Sequence, residues 1–154
     1  MIITKTPFRI SFAGGGSDLA DFYEKYGGCV LSTSINRYCY ISIHPYFDET
    51  GTMLKYSENE LVHNLSDIKH RIFNCVLNER QIHGVEITST ADIPGGTGLG
   101  SSSTFTVGLL NTLNCYQGKS MSKGNWPRKP VKSRFKSWEA PLESRTSMLR
   151  RSVG

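Results

Sequence analysis

The chain has 154 residues, of which 38% are hydrophobic, with four cysteines and a formal net charge of +5. That length predicts one domain with a modest core. The cysteines, Cys29, Cys39, Cys75 and Cys115, lack the spacing of a metal site, no stretch is apolar enough for a membrane span, and the start Met-Ile-Ile-Thr-Lys-Thr-Pro lacks the apolar core of a signal peptide. A soluble protein of a reducing cytoplasm is therefore expected.

In chain order, the pattern predicts a strand over 2–12, a helix over 18–26, strands over 28–35 and 37–45, and a strand-like stretch over 52–57. A helix over 66–82 follows, with Ile68, Ile72, Phe73, Val76 and Leu77 as its apolar stripe, then a strand over 84–90, a loop over 91–103 and a helix over 104–116. Alternating strands and helices predict an α+β or α/β fold in two layers. Cys29 and Cys39 lie in strand-like runs and read as small core residues. His44, His63, His70 and His83 are scattered; His63 and His70 are seven apart and read as neighbours on one helix face, but no third metal ligand accompanies them.

The most informative stretch is Ala91 to Thr104, A-D-I-P-G-G-T-G-L-G-S-S-S-T, between the strand V-E-I-T-S-T and an apolar helical run. Glycines let a backbone turn its N–H groups inward, and a helix start adds unpaired N–H groups and the positive end of a dipole. This combination suits a phosphate, although an ordinary strand-to-helix turn uses the same residue types. No Lys follows the last glycine, so the loop is not the Walker pattern, and G-x-G-x-x-G cannot be laid on Gly95, Gly96, Gly98 and Gly100. Asp92, just before the loop, reads as a turn residue. Near the start, P-F-R-I-S-F-A-G-G-G-S-D places three consecutive glycines before Asp18. Asp18 or Ser17 is suited to cap the helix that follows; equally, Arg9 and Asp18 are suited to hold a polyol, the carboxylate accepting from sugar hydroxyls.

Pro94, Gly98, Leu99, Gly100, Ser101 and Ser102 fall on the P-x-x-x-G-L-G-S-S-A loop of the GHMP kinases, with Ser103 in place of the usual Ala. The chain resembles that superfamily. The amino-terminal motif, and Gly27 to Tyr38 after it, resemble its sugar-phosphate branch and the heptose 7-phosphate kinases in particular. The resemblance spans residues 1–119 and implies an α+β amino-terminal ATP-binding domain, similar to the second domain of ribosomal protein S5, present in part. It implies ATP and Mg²⁺ as cofactors and a small-molecule sugar phosphate as partner. Pro94, Gly95, Gly96, Thr97, Gly98, Leu99, Gly100, Ser101, Ser102 and Ser103 would surround the ATP phosphates, with Ser102, or else Ser101, meeting Mg²⁺. Arg9, Gly15, Gly16, Ser17 and Asp18 would meet the sugar. Ser32, Thr33 and Ser34 would face it and Arg37 would meet a phosphate, although all four also read as a polar strand end. The implied activity is phosphorylation of the anomeric hydroxyl of D-glycero-D-manno-heptose 7-phosphate; fucose or another sugar is the related alternative.

The charge is not evenly spread. Residues 1–119 hold 9 Lys and Arg against 11 Asp and Glu, whereas residues 120–154 hold 9 against 2. By composition the tail is a disordered basic arm, its cations interleaved with Trp126, Phe135 and Trp138, as in a nucleic-acid-binding segment. The resembled family offers another explanation. After the serine loop it carries a segment like G-S-P-I-G-K-Q-D-Q-Y-A-A-A-Y-G-G with a catalytic aspartate, and no in-frame residue here matches it. When each codon takes the last base of one residue and the first two of the next, Lys136 to Gly154 is able to encode K-L-G-S-P-I-G-K-Q-D-Q-Y-A-A-A-F-G-G. The same shift from about Gly124 yields acidic helix-like sequence. We therefore expect residues 120–154 to be an out-of-frame translation, the chain to be a truncated and inactive kinase with no catalytic residue of its own, and no membrane or nucleic-acid partner. A non-catalytic nucleotide- or nucleic-acid-binding module is the alternative.

Overall fold

The computed structural model describes residues 1–17 and 20–119. The expectations for Asp18 and for the basic tail lie outside the described residues. Among the described residues five strands form one sheet, in the spatial order first, second, fifth, third, fourth, and the last helix packs against the first two of them. β1 (Ile2–Ala13) pairs antiparallel with β2 (Leu31–Pro45), and β2 pairs antiparallel with β5 (Val85–Ala91). β3 (Thr52–Lys55) and β4 (Asn59–Val62) make a hairpin, and β3 runs parallel to β5. Between them the chain crosses over through α2 (Arg71–Arg80), while α1 (Ala20–Tyr26) links β1 to β2 and α3 (Ser101–Tyr116) follows β5.

Alternation along the strands builds the core. Cys39, Ile41 and Ile43 of β2, Val85 and Ile87 of β5, Leu54 of β3 and Phe8 of β1 are all buried. Phe73, Val76 and Leu77 of α2 and Leu109 and Leu113 of α3 close over them, and Phe73 meets Phe105 edge to face with ring centres 5.1 Å apart. α3 approaches the sheet closely because Gly108 has no side chain: a Cβ there would stand 2.9 Å from Thr6 Oγ1 and 3.2 Å from Ile41 Cδ1. Next to it the buried hydroxyls of Thr4 and Thr112 share a hydrogen bond of 2.6 Å, so the small polar side chains of this seam satisfy each other.

Several expected boundaries move. The two strands expected over 28–35 and 37–45 are one strand, β2, because its pairing with β1 tolerates an irregularity. Pro7 faces Tyr38 and Arg9 faces Ser34, so Ile35, Asn36 and Arg37 bulge from the ladder. The helix expected over 66–82 is a 3₁₀ turn (Leu65–Asp67) followed by α2; His70 lies between them and its Nδ1 accepts the Phe73 N–H at 3.4 Å. His63 and His70 therefore share no helix face. α3 begins three residues earlier than expected, so Ser101, Ser102 and Ser103 form its first turn. Cys29 is exposed instead of buried, and so are Phe22, Tyr23 and Tyr26, the apolar side of α1. Among the described residues, six of the ten exposed large hydrophobic residues lie between residues 12 and 31, which marks this end of the β1–β2 hairpin as incompletely covered.

Candidate phosphate site

The site grows from the end of β5. Asp92 leaves the strand but stays tied to β2: its N–H donates to the Tyr38 carbonyl at 2.9 Å, and its carboxylate accepts the Tyr38 N–H at 2.8 Å. The expected turn role of Asp92 thus has a physical form, and its carboxylate is engaged in anchoring the loop. Beyond it the chain passes through glycines that need their freedom. Gly96, Gly98 and Gly100 have φ of +84°, +77° and +73°, alternating with Thr97 and Leu99, which do not enter the positive-φ region. Positive φ at alternate residues is compatible with an anion-binding nest, in which successive N–H groups converge. A Cβ at Gly95, Gly96 or Gly98 would meet nothing within 4 Å, so the space beside these glycines is open.

The loop leads into a helix start. Gly100 is the N-cap of α3 and has no side chain to cap it. The first helical hydrogen bond runs from Thr104 N–H to the Gly100 carbonyl, so the N–H groups of Ser101, Ser102 and Ser103 have no helical acceptor. The hydroxyls of Ser102 and Ser103 are exposed in this turn. Among the described residues no group of three His, Cys, Asp or Glu side chains is arranged to hold a metal ion.

The amino-terminal motif meets the loop through Arg9. A Cβ on Gly100 would stand 3.4 Å from Arg9 Nε, with Arg9 Cγ and Cζ at 3.5 and 3.6 Å. The positive φ of Gly100 is what favours glycine there; the Arg9 side chain lies beside it at a distance that a Cβ would tolerate. Arg9 Nη1 donates to Ser11 Oγ at 2.6 Å. Across the ladder Arg9 faces Ser34, Ile10 faces Thr33 and Ser11 faces Ser32. Strand alternation places Ser32 and Ser34 on one face and Thr33 on the other, so the three expected to face a sugar together do not line one wall. Arg37 is exposed within the bulge of β2. Gly15 and Gly16 lie in an exposed turn with open space beside them. Ser17 does not cap α1: its Oγ lies 2.7 Å from the Gly14 carbonyl and 2.9 Å from that of Cys29, and it accepts the Cys29 N–H at 3.1 Å. It fastens the glycine turn to the start of β2. Ser11 was not among the residues singled out from sequence, although its spacing of two from Arg9 in a strand was a usable signal.

Residues 67–126 match the family described as GHMP kinases N terminal domain. A D-glycero-alpha-D-manno-heptose 7-phosphate kinase of Campylobacter jejuni subsp. jejuni serotype O:2 is 31% identical, over 73% of this chain and 37% of the relative. The chain carries the N-terminal domain of the GHMP kinases. Solved structures of this superfamily agree in fold. A D-glycero-D-manno-heptose 1-phosphate kinase from Bacteriodes thetaiotaomicron superposes with a TM-score of 0.67 at 25% identity, over 77% of this chain and 42% of that one. The mevalonate kinase of Methanococcus jannaschii superposes at 0.60 and 21% identity, over 79% of this chain and 42% of that one. The GHMP domain described here thus spans less than half the length of the kinases it matches. Its α+β architecture is that of their N-terminal portion. No helix among the described residues is long and apolar enough to cross a membrane.

Proposed function

We propose that the loop Pro94–Ser103 binds the phosphates of ATP, and that the chain derives from a cytoplasmic kinase acting on the anomeric hydroxyl of a heptose 7-phosphate. The observation that carries the reading is the run of three alternating positive-φ glycines feeding the open first turn of α3, with the Arg9 side chain beside the last of them. The similarity to a heptose 7-phosphate kinase supports the sugar assignment.

Phosphoryl transfer needs positioning and charge neutralisation more than covalent chemistry from the protein. In the proposed reaction a bond forms between the sugar oxygen and the γ-phosphorus, the β–γ bridging bond breaks, and the hydroxyl proton leaves to a base. The N–H groups of the loop and of Ser101 to Ser103 would hold phosphate oxygens, and the Arg9 guanidinium would offset their charge. By resemblance Ser102 would meet Mg²⁺, but a single hydroxyl makes no metal site, and Asp92 already serves Tyr38. The ion would come with the nucleotide, neutralising phosphate charge when bound. No residue of these 154 matches the aspartate that the resemblance implies as base. On this reading the 154 residues bind nucleotide without turnover, since absence of a base alone costs on the order of 10²–10⁴-fold.

Two measurements test this. Calorimetric titration of the 154-residue chain with ATP and Mg²⁺ is expected to show saturable binding, and a flat titration sinks the phosphate-site reading. Coupled assay with heptose 7-phosphate is expected to show no turnover; turnover at the rate of an intact heptose kinase refutes the reading of binding without turnover.

A further inference from the structure

We propose that Ser11 is a positioning residue for the phosphate site, acting through Arg9. This rests on the reading of Pro94–Ser103 as an ATP-phosphate loop and deepens it. An arginine on a strand has several staggered conformations for its long side chain, and holding one of them has an entropic cost. One contact holds Arg9: its Nη1 donates to Ser11 Oγ at 2.6 Å. Its side chain lies beside Gly100, the N-cap of α3, with Nε, Cγ and Cζ at 3.4 to 3.6 Å from where a Cβ would stand. Both Arg9 and Ser11 are half-buried, which strengthens a charge-assisted hydrogen bond relative to one in open water.

Ser11 suits this task. It lies two residues beyond Arg9 on the same strand, hence on the same side, and its hydroxyl is short enough to fix the guanidinium plane without covering it. Its strand is in turn paired: Ser11 faces Ser32 and Arg9 faces Ser34 across a ladder that is regular over three pairs. Among the described residues no other protein hydrogen bond engages Arg9. One N–H is thus spent on orientation, while the fork keeps further donors for a planar pair of phosphate oxygens. The arrangement links the amino-terminal motif to the glycine loop: the first strand of the sheet carries the cation that would meet the phosphates at Pro94–Ser103.

The test is a double-variant cycle on the 154-residue chain, read by titration with ATP in the presence of Mg²⁺. Ser11→Ala is expected to weaken ATP binding about 3- to 10-fold, as loss of one hydrogen bond to a charged group implies. Ser11→Thr, which keeps the hydroxyl, is expected to bind as the unaltered chain does. Arg9→Lys is expected to weaken binding as much as Arg9→Ala, since an ammonium lacks the fork. The deciding arm is Ser11→Ala in the Arg9→Ala background, expected to add nothing, because Ser11 acts only through Arg9. A further loss of the same size in that background assigns Ser11 a general structural role and overturns the proposal. So does unchanged ATP binding by Ser11→Ala in the otherwise unaltered chain. Absence of ATP binding by the unaltered chain overturns the phosphate-site reading and this inference with it.

Discussion

Gly98 has φ +77° and open space where a Cβ would be, whereas Gly95 has the same open space without a positive φ. The two separate backbone strain from crowding. Gly98→Ala is expected to lower stability by about 1–2 kcal/mol through the left-handed conformation alone, while Gly95→Ala stays within about 0.5 kcal/mol. Urea unfolding of both variants checks this; equal midpoints would mean that the loop relaxes freely and does not hold its nest. At the same scale, Ser17 shows why residue type did not reveal role. A serine before a helix reads as a cap, but here the Gly14 turn brings the Cys29 backbone within reach, and the hydroxyl satisfies that instead. That contact joins residues twelve apart, so no local pattern announces it.

Two elements hold the site's framework, and each has a distinct weakness. α3 lies close to β1 and β2 because of Gly108. Alanine there is the better helix former by about 1 kcal/mol, but overpacking against Thr6 Oγ1 and Ile41 Cδ1 costs about 1–3 kcal/mol. Gly108→Ala is accordingly expected to destabilise, and Thr6→Ala to relieve part of that loss; thermal unfolding of the pair and of each single variant measures it, and a stabilised Gly108→Ala would show that α3 has slack. The start of α2 depends on a buried polar cluster. Burial pushes the Glu60 carboxyl up, but hydrogen bonds from the Tyr56 hydroxyl and from the Lys69 and His70 N–H groups outweigh it and hold the carboxyl below its usual value of 4.5. Burial among Tyr56, Phe73 and Phe105 pushes His70 below its usual 6.5, against the pull of Glu60. Both folded-state values are depressed, so the unfolded chain binds more protons as pH falls and stability drops. The His70 contribution is intact above about pH 6.5 and is lost below it; that of Glu60 follows below about 4.5. His70→Asn, which can still accept the Phe73 N–H, is expected to flatten the upper part of this decline. An unchanged slope of unfolding free energy against pH would assign that decline to other groups.

On the scale of the whole molecule, the GHMP domain covers 37% of its curated relative and leaves Phe12, Tyr26 and Leu31 more than 60% exposed. We propose a one-base slip near the codons for Ser120 to Asn125, because Lys136 to Gly154 is able to encode the segment with the catalytic aspartate in the shifted frame. The family match ends at residue 126, beside that point, which supports the reading. Sequencing the gene there is expected to show the slip relative to intact relatives, and a protein expressed from the restored frame is expected to phosphorylate heptose 7-phosphate. A gene without the slip sinks the idea.

By itself the sequence determined the family and the place of the glycine loop between a strand and a helix, because glycine spacing, serine run and strand alternation are local signals carried by backbone rules. It also placed the core of α2 and the sheet, since apolar periodicity reports burial directly. Only the tertiary structure decided that Arg9 belongs beside Gly100, that Thr33 turns away from Ser32 and Ser34, that Asp92 is committed to Tyr38, and that β2 is one bulged strand. Each of these depends on a register between distant segments. A register is set by how the whole sheet buries its apolar face, and no short stretch of residues contains that information.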